Sequence, residues 1–168
     1  MKADRILVPL DGSGLAEAAI PAAVAAASGS ATLMLVRAAE ARTLPGTDPI
    51  DAQIEAVQEA EAYLGPVKAT LEKQGVGKIE ANVWYGPPAV AIIEAAQLYK
   101  PDLIVMSTHG RSGLGRLIFG SVAESVLRGT TVPILLIRPA GAPVERPRGL
   151  EAARPANPDS RTRTEALR

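Results

Sequence analysis

Apolar residues along residues 1–139 fall into two alternating spacings. Short unbroken apolar runs mark strands, and runs with partners three, four and seven positions apart mark helices. Arg5-Ile6-Leu7-Val8-Pro9 is the first strand, closed by the turn residues Asp11-Gly12-Ser13-Gly14. Leu15 to Ala27 reads as an alanine-rich helix with Pro21 as a blemish, and Ala31 to Val36 as the second strand. Asp48-Pro49 is a helix start. The stripe Ile50, Ile54, Val57, Leu64, Val67 and Leu71 carries that helix until Gly75 and Gly77 stop it. Ile79 to Trp84 is a third strand, and Pro88 to Leu98 a third helix marked by Val90, Ile93 and Ala95-Ala96. Leu103-Ile104-Val105-Met106 is apolar on both faces, as a central parallel strand must be. Ser121 to Leu127 is helical, with capping-box spacing between Ser121 and Glu124, and Pro133 to Ile137 is the last strand. The order βαβαβαβαβ predicts an α/β fold with a mostly parallel sheet and helices on both faces.

Composition narrows what this sheet can carry. Hydrophobic residues make up 47% of the 168, enough for a core, and aromatic residues only 3%, so the core is aliphatic. Lys+Arg and Asp+Glu are both 18, so the chain lacks the basic excess that phosphate neutralisation on nucleic acid demands. There is no cysteine, which removes disulfides, thiol nucleophiles and thiolate zinc sites. The single histidine, His109, excludes a multi-histidine metal site. No apolar run reaches the roughly 18 residues of a membrane span, and Pro9 and Asp11 break the first run too early for a signal-peptide core. The expected compartment is the cytoplasm.

The composition changes at Ala140. Residues 140–168 hold four prolines, six arginines and four acidic residues, with Val144, Leu150 and Leu167 as the only aliphatics besides alanine. Such a segment cannot offset its ordering entropy, so it is expected to be a flexible tail behind one domain spanning residues 1–139. A basic docking role is the functional alternative.

Ligands of open α/β sheets bind beyond the carboxyl ends of the strands, where the strand order reverses. Two such ends are rich in turn and polar residues: Pro9 to Gly14, and the segment from Ser107 through His109, Gly110, Arg111 and Gly115 to Arg116. The second offers glycines, hydroxyls and arginines ahead of a helix starting at Gly120-Ser121, a pattern suited to phosphate. A side chain at Gly120 is expected to block the backbone N–H groups there. The same glycines could serve only to make a turn, and Asp11 could serve only to cap the first helix. A Walker A motif is excluded because Arg116-Leu117 stands where Lys and Ser/Thr are required, and no G-x-G-x-x-G is present. His109 with Asp11 suggests an acid/base pair, but no second carboxylate or nucleophile stands out near either loop, so a hydrolase triad is not indicated. Glu94, Asp102 and Glu124 read as helix-face, turn and capping charges.

The run from Asp102 through Ser107-Thr108-His109-Gly110-Arg111-Ser112-Gly113-Leu114 to Phe119-Gly120-Ser121-Val122-Ala123-Glu124 resembles the signature of the universal stress protein family. So do Ile6-Leu7-Val8-Pro9-Leu10-Asp11-Gly12-Ser13 and Val132 to Ile137, and the resemblance covers residues 1 to about 139. The nucleotide-binding branch of that family carries G-x2-G-x9-G-[S/T]. Gly110, Gly120 and Ser121 match it, while Ser107 replaces the first glycine. The resemblance implies a Rossmann-like, five-stranded sheet of order 3-2-1-4-5, a homodimer, and ATP, with Mg²⁺ on its phosphates, as the ligand. It places Pro9 and Asp11 against the adenosine, the backbone of Ala38 at the adenine, and Met106 and Ser107 beside the ribose. Gly110, Gly120, Ser121 and Val122 would hold the phosphates, assisted by Arg111. The implied role is a nucleotide-dependent regulatory module of the stress response with an unidentified partner. A nucleotide-free structural or chaperone-like dimer and a slow ATP hydrolase are the alternatives. In the implied order Pro133 to Ile137 is an edge strand, the expected dimer contact.

Overall fold

A computed structural model describes residues 2–41, 45–46, 48–108 and 120–140. Its elements run β1 (Ala3–Pro9), α1 (Gly14–Glu17), α2 (Ile20–Ala26), β2 (Ala27–Ala39), α3 (Pro49–Lys73), β3 (Lys78–Tyr85), α4 (Pro88–Tyr99), β4 (Leu103–Ser107), α5 (Ser121–Gly129) and β5 (Ile134–Ile137). The strands form one sheet of order β3-β2-β1-β4-β5, and every pairing is parallel.

Strand alternation sorts the apolar residues into two layers. Ile6, Val8, Leu33, Leu35, Leu103 and Val105 face α1, α2 and α3, where Ala16, Ala23, Leu64 and Leu71 meet them. Leu7, Met34, Val36, Ile104 and Met106 face α4 and α5, where Ile92, Ala95, Ala96, Ala123 and Val126 meet them. Ile6, Leu7, Leu33, Met34, Leu35 and Ile104 are fully buried, so the sheet centre is sealed on both sides. Helices therefore cover both faces of an open, Rossmann-like sheet. The strand order reverses between β1 and β4, and their carboxyl ends part there to leave a crevice.

Several local expectations need correction. The first helix is two pieces, because Pro21 has no N–H to offer Glu17 and its ring crowds that carbonyl; it sits instead in the first turn of α2. The second strand begins four residues earlier and ends three later than its apolar run, over Ala27–Ala39. The α3 stripe holds only in part. Leu64 and Leu71 are buried beside Ala52 and Ala60, whereas Ile50 and Ile54 are 67% and 49% exposed. On α4 the buried side is Ala91, Ile92, Ala95 and Ala96, and Val90 is exposed. The Ser121/Glu124 capping box does not form. Gly120 occupies the cap position, Ser121 is the first helical residue, and Glu124 pairs with Arg128 at 2.9 Å. Asp102 is more than a turn charge: its Oδ2 accepts from the backbone N–H of Asp4 (3.1 Å) and Arg5 (2.9 Å), tying β1 to the start of β4. The Asp48 cap stands as read, its Oδ1 accepting from Ile50 N at 2.7 Å ahead of Pro49.

Candidate functional site

The crevice above the β1/β4 switch point opens into a cavity of about 290 Å³. Its floor is the carboxyl ends of three strands. Pro9, Leu10 and Asp11 come from β1, the stretch from Val36 to Glu40 from β2, and Met106, Ser107 and Thr108 from β4. One side wall is Ala56 and Glu59 of α3, and the other is Pro88 and Ile92 of α4 with the start of α5. Of the residues singled out in the sequence, Pro9, Asp11, Ala38, Met106, Ser107, Gly120, Ser121 and Val122 all line this one cavity. Gly110 and Arg111, with His109 and the rest of residues 109–119, lie outside the described residues.

Each rim of the cavity is fixed by local bonds. Leu10 N donates to Val36 O at 2.8 Å, carrying the β1–β2 ladder one residue past the end of β1. Asp11 Oδ1 accepts from both the N–H (2.9 Å) and the hydroxyl (2.6 Å) of Ser13, and Ser13 Oγ accepts from Ala16 N. The cap of the first helix is thus Ser13, with Asp11 holding the cap residue in place. Across the crevice, Thr108 N donates to Ile137 O, and Thr108 O in turn accepts from Gly120 N, both at 2.9 Å. This second bond docks the start of α5 directly onto the end of β4.

The α5 terminus is the anion-attracting end. Gly120 supplies no capping side chain, and the first intrahelical bond is Glu124 N to Gly120 O at 3.0 Å. The N–H groups of Ser121, Val122 and Ala123 therefore have no acceptor within the helix, and all three residues line the cavity. The structure adds a packing reason for this glycine. Its φ of −61° and ψ of 150° suit any residue, but a Cβ there would lie 2.9 Å from Thr108 O. Glycine allows the close approach of two backbones here, and with it the placement of the N–H groups.

The opposite end, between β2 and α3, is built from charged side chains that pattern reading missed. Arg37 is 5% exposed, an arginine inside the apolar run from Ala31 to Ala39. Its Nη2 lies 2.6 Å from Glu59 Oε1, its Nη1 donates to Glu59 O at 3.3 Å, and its guanidinium lies 4.9 Å above the Tyr63 ring centre. Tyr63 donates its hydroxyl to Glu17 Oε1 at 2.8 Å. Burial, then the Glu17 bond and the Glu17 and Asp11 charges, push the Tyr63 phenol well above its ordinary range, with Arg37 pulling the other way. Among the described residues, Asp11, Glu40 and Glu59 place three carboxylates around the cavity against the one guanidinium of Arg37. The cavity is electrically two-ended. No group of three or more metal-ligating side chains occurs among the described residues, and no described helix is long and apolar enough to cross a membrane.

Comparison with known proteins agrees with this geometry. The Universal stress protein family matches residues 2–138. Universal stress protein MJ0531 of Methanocaldococcus jannaschii is 34% identical over 140 residues, covering 80% of this chain and 81% of that one. Among solved structures, hypothetical protein MJ0577 superposes with a TM-score of 0.76 at 24% identity, over 84% of this chain and 99% of its own. A universal stress protein in complex with cAMP superposes with a TM-score of 0.61 at 24% identity, over 82% of this chain and 98% of its own. With the family match spanning nearly all of the described sheet and its helices, the chain belongs to the universal stress protein family.

Proposed function

We propose that this protein binds an adenine nucleotide, specifically ATP, in the switch-point cavity, and that occupancy rather than turnover is what it communicates to a regulatory partner in the cytoplasm. The observation that carries this reading is the two-ended cavity. Open helix N–H groups at Ser121 and Val122 suit phosphate, and a carboxylate-lined end between β2 and α3 suits a nucleobase. The similar protein in complex with cAMP supports an adenine nucleotide as the ligand class. In this pose Pro9 and Asp11 lie against the adenosine, Ala38 presents its backbone to the base, and Met106 and Ser107 flank the ribose. Ser107 is nine-tenths buried, so a small hydroxyl side chain at this point leaves the floor intact. Gly110 and Arg111 would complete the phosphate end, and any Mg²⁺ would arrive on the phosphates.

The test is a mass spectrum of small molecules released from the purified, denatured protein, followed by calorimetric titration with ATP and Mg²⁺. Near-stoichiometric adenine nucleotide, or saturable heat on titration, is the expected result. Neither appearing would refute the reading in favour of a nucleotide-free dimer, and ATP turnover that survives further purification would favour a hydrolase.

A further inference from the structure

The apolar row that opens α3 is left over by the core. Ile50 and Ile54 stand one turn apart on one side of the helix and are exposed, while Ala52 and Ala60 take the buried positions. Asp51 and Glu55 form the neighbouring row and are exposed as well. From Asp48 to Val67 the chain holds five acidic residues and no lysine or arginine, and the first basic residue of α3 is Lys68. A helix face that is apolar along one row and acidic along the next suits a segment that offers arginines beside aliphatic side chains.

This chain contains such a segment. Residues 141–168 lie outside the described residues and carry six arginines against four acidic residues, with Arg146 and Arg148 set between Val144 and Leu150. Their point of departure is fixed. β5 runs parallel to the other strands, so the chain leaves Ile137 at the same end of the sheet from which α3 starts. Ile137 O accepts there from Thr108 N, on the floor of the cavity. Three strand spacings separate β5 from β2, about 15 Å. Extended chain covers that distance, with the step up to a helix layer, in about six to eight residues, which is the separation of Arg146 and Arg148 from Ala140.

We propose that residues 141–168 dock, within the same chain, on the exposed face of α3 formed by Ile50, Ile54, Asp51 and Glu55. Val144 and Leu150 cover the isoleucines, and Arg146 and Arg148 meet the carboxylates. Contacts among exposed groups add little to stability, so the melting temperature changes by only a few degrees when the segment is removed. The docking surface lies on the outer side of α3 and takes no part in holding a ligand, so it stands apart from the nucleotide reading above.

The test uses the full chain, which has no cysteine, so Ala152→Cys accepts a single nitroxide label. In the amide NMR spectrum, the signals of residues 50–61 should lose most of their intensity relative to the same protein with the nitroxide reduced. Those of Gln97 to Lys100, at the other end of the sheet where Tyr99 O accepts from Arg5, should keep theirs. Arg146→Glu with Arg148→Glu should restore the α3 signals. Adding Asp51→Lys with Glu55→Lys should suppress them again, because the charges are then exchanged rather than removed. Restoration by the arginine pair decides the matter alone should the α3 pair unfold the protein. Uniform broadening, or α3 signals unmoved by the label or by the arginine pair, overturns the inference. A folded, charge-exchanged variant whose α3 signals stay sharp does the same. So does suppression of isotope-labelled chains by spin-labelled chains mixed with them, which would make the occupant a second copy.

Discussion

Replacing Gly120 by alanine tests whether the placement of α5, rather than any side chain, holds the phosphate end together. Alanine adopts the native φ and ψ at this position without strain, so the whole effect is spatial. The new Cβ would meet Thr108 O at 2.9 Å, and ordinary contact needs about 0.5 Å more. The Cβ is bonded directly to the backbone at the start of α5 and the oxygen belongs to the backbone just past the end of β4, so neither can swing aside as the end of a flexible side chain could. Parting them stretches the Gly120 N to Thr108 O bond, now 2.9 Å, at a cost of about 0.5–1.5 kcal/mol in stability. The same shift moves the Ser121 and Val122 N–H groups off the anion. Hydrogen bonds to a charged oxygen contribute about 1.5–3 kcal/mol each, and degrading two of them should weaken ATP by tenfold or more. Titration calorimetry gives the affinity, and thermal unfolding should show a loss of only a few degrees. Ser121→Ala is the control, because it keeps the N–H and should bind nearly as the parent does. Parent-like affinity in Gly120→Ala would refute the reasoning, as would a larger loss in Ser121→Ala.

Three further outcomes are expected. The fold favours the protonated Tyr63 phenol, so above its ordinary value of 10.0 the unfolded chain binds fewer protons than the folded one and stability falls with rising pH. Urea unfolding below and above pH 10 should show this decline, flattened in Tyr63→Phe; an equal decline in both would show that other groups cause it. At β5, Leu135 is 39% exposed, whereas Ile134, Leu136 and Ile137 pack against the two core layers. We propose that this edge strand pairs with a second copy, so Leu135→Lys should shift sedimentation toward monomer, and an unchanged assembly would place the contact elsewhere. Truncation after Pro139, which is buried, should leave the melting temperature within a few degrees, while a large drop would show that residues 140–168 pack on the domain.

The sheet was readable because central parallel strands leave no room for ambiguity. Ile6-Leu7-Val8, Leu33 to Val36 and Leu103 to Met106 are buried on both faces, so they must be apolar at every position and stand out as runs. Helices gave a weaker signal. The stripe on α3 predicts a core face along the whole helix, but in its first two turns the small Ala52 takes the buried position while Ile50 and Ile54 are exposed. On α4 the buried side is Ile92 with three alanines, which carry little pattern; Ala95 and Ala96 lie on it as read, and the larger Val90 does not. The Ser121/Glu124 spacing misled for a related reason. A cap depends on the φ and ψ of the residue preceding the helix, and Gly120, extended at ψ 150°, takes that position.

The site divides along the same physical line. A phosphate end made of backbone N–H groups needs residues that allow close approach and tight turns, and glycine and serine in a βα loop advertise that need directly. Hence the Pro9–Asp11 turn and the helix start at Gly120-Ser121 stand out by residue type, the family resemblance adds their implied roles, and the structure brings them onto one cavity. The opposite, charged end, made of side chains, has no such local signature. Arg37, Glu59, Tyr63 and Glu17 come from three elements, and only Glu59 and Tyr63, four apart on α3, are related by spacing before β2 is laid beside α1 and α3. Arg37 alone left a trace, as a full charge within an apolar strand. Burying an unpaired guanidinium costs several kcal/mol, so an arginine in that setting requires a carboxylate from elsewhere in the chain. The sequence thus required an acidic partner near the end of β2, and the structure identifies it as Glu59. Because that partner stands on the cavity wall with its side chain 61% exposed, the same physical requirement that stabilises the strand end also sets a carboxylate on that wall.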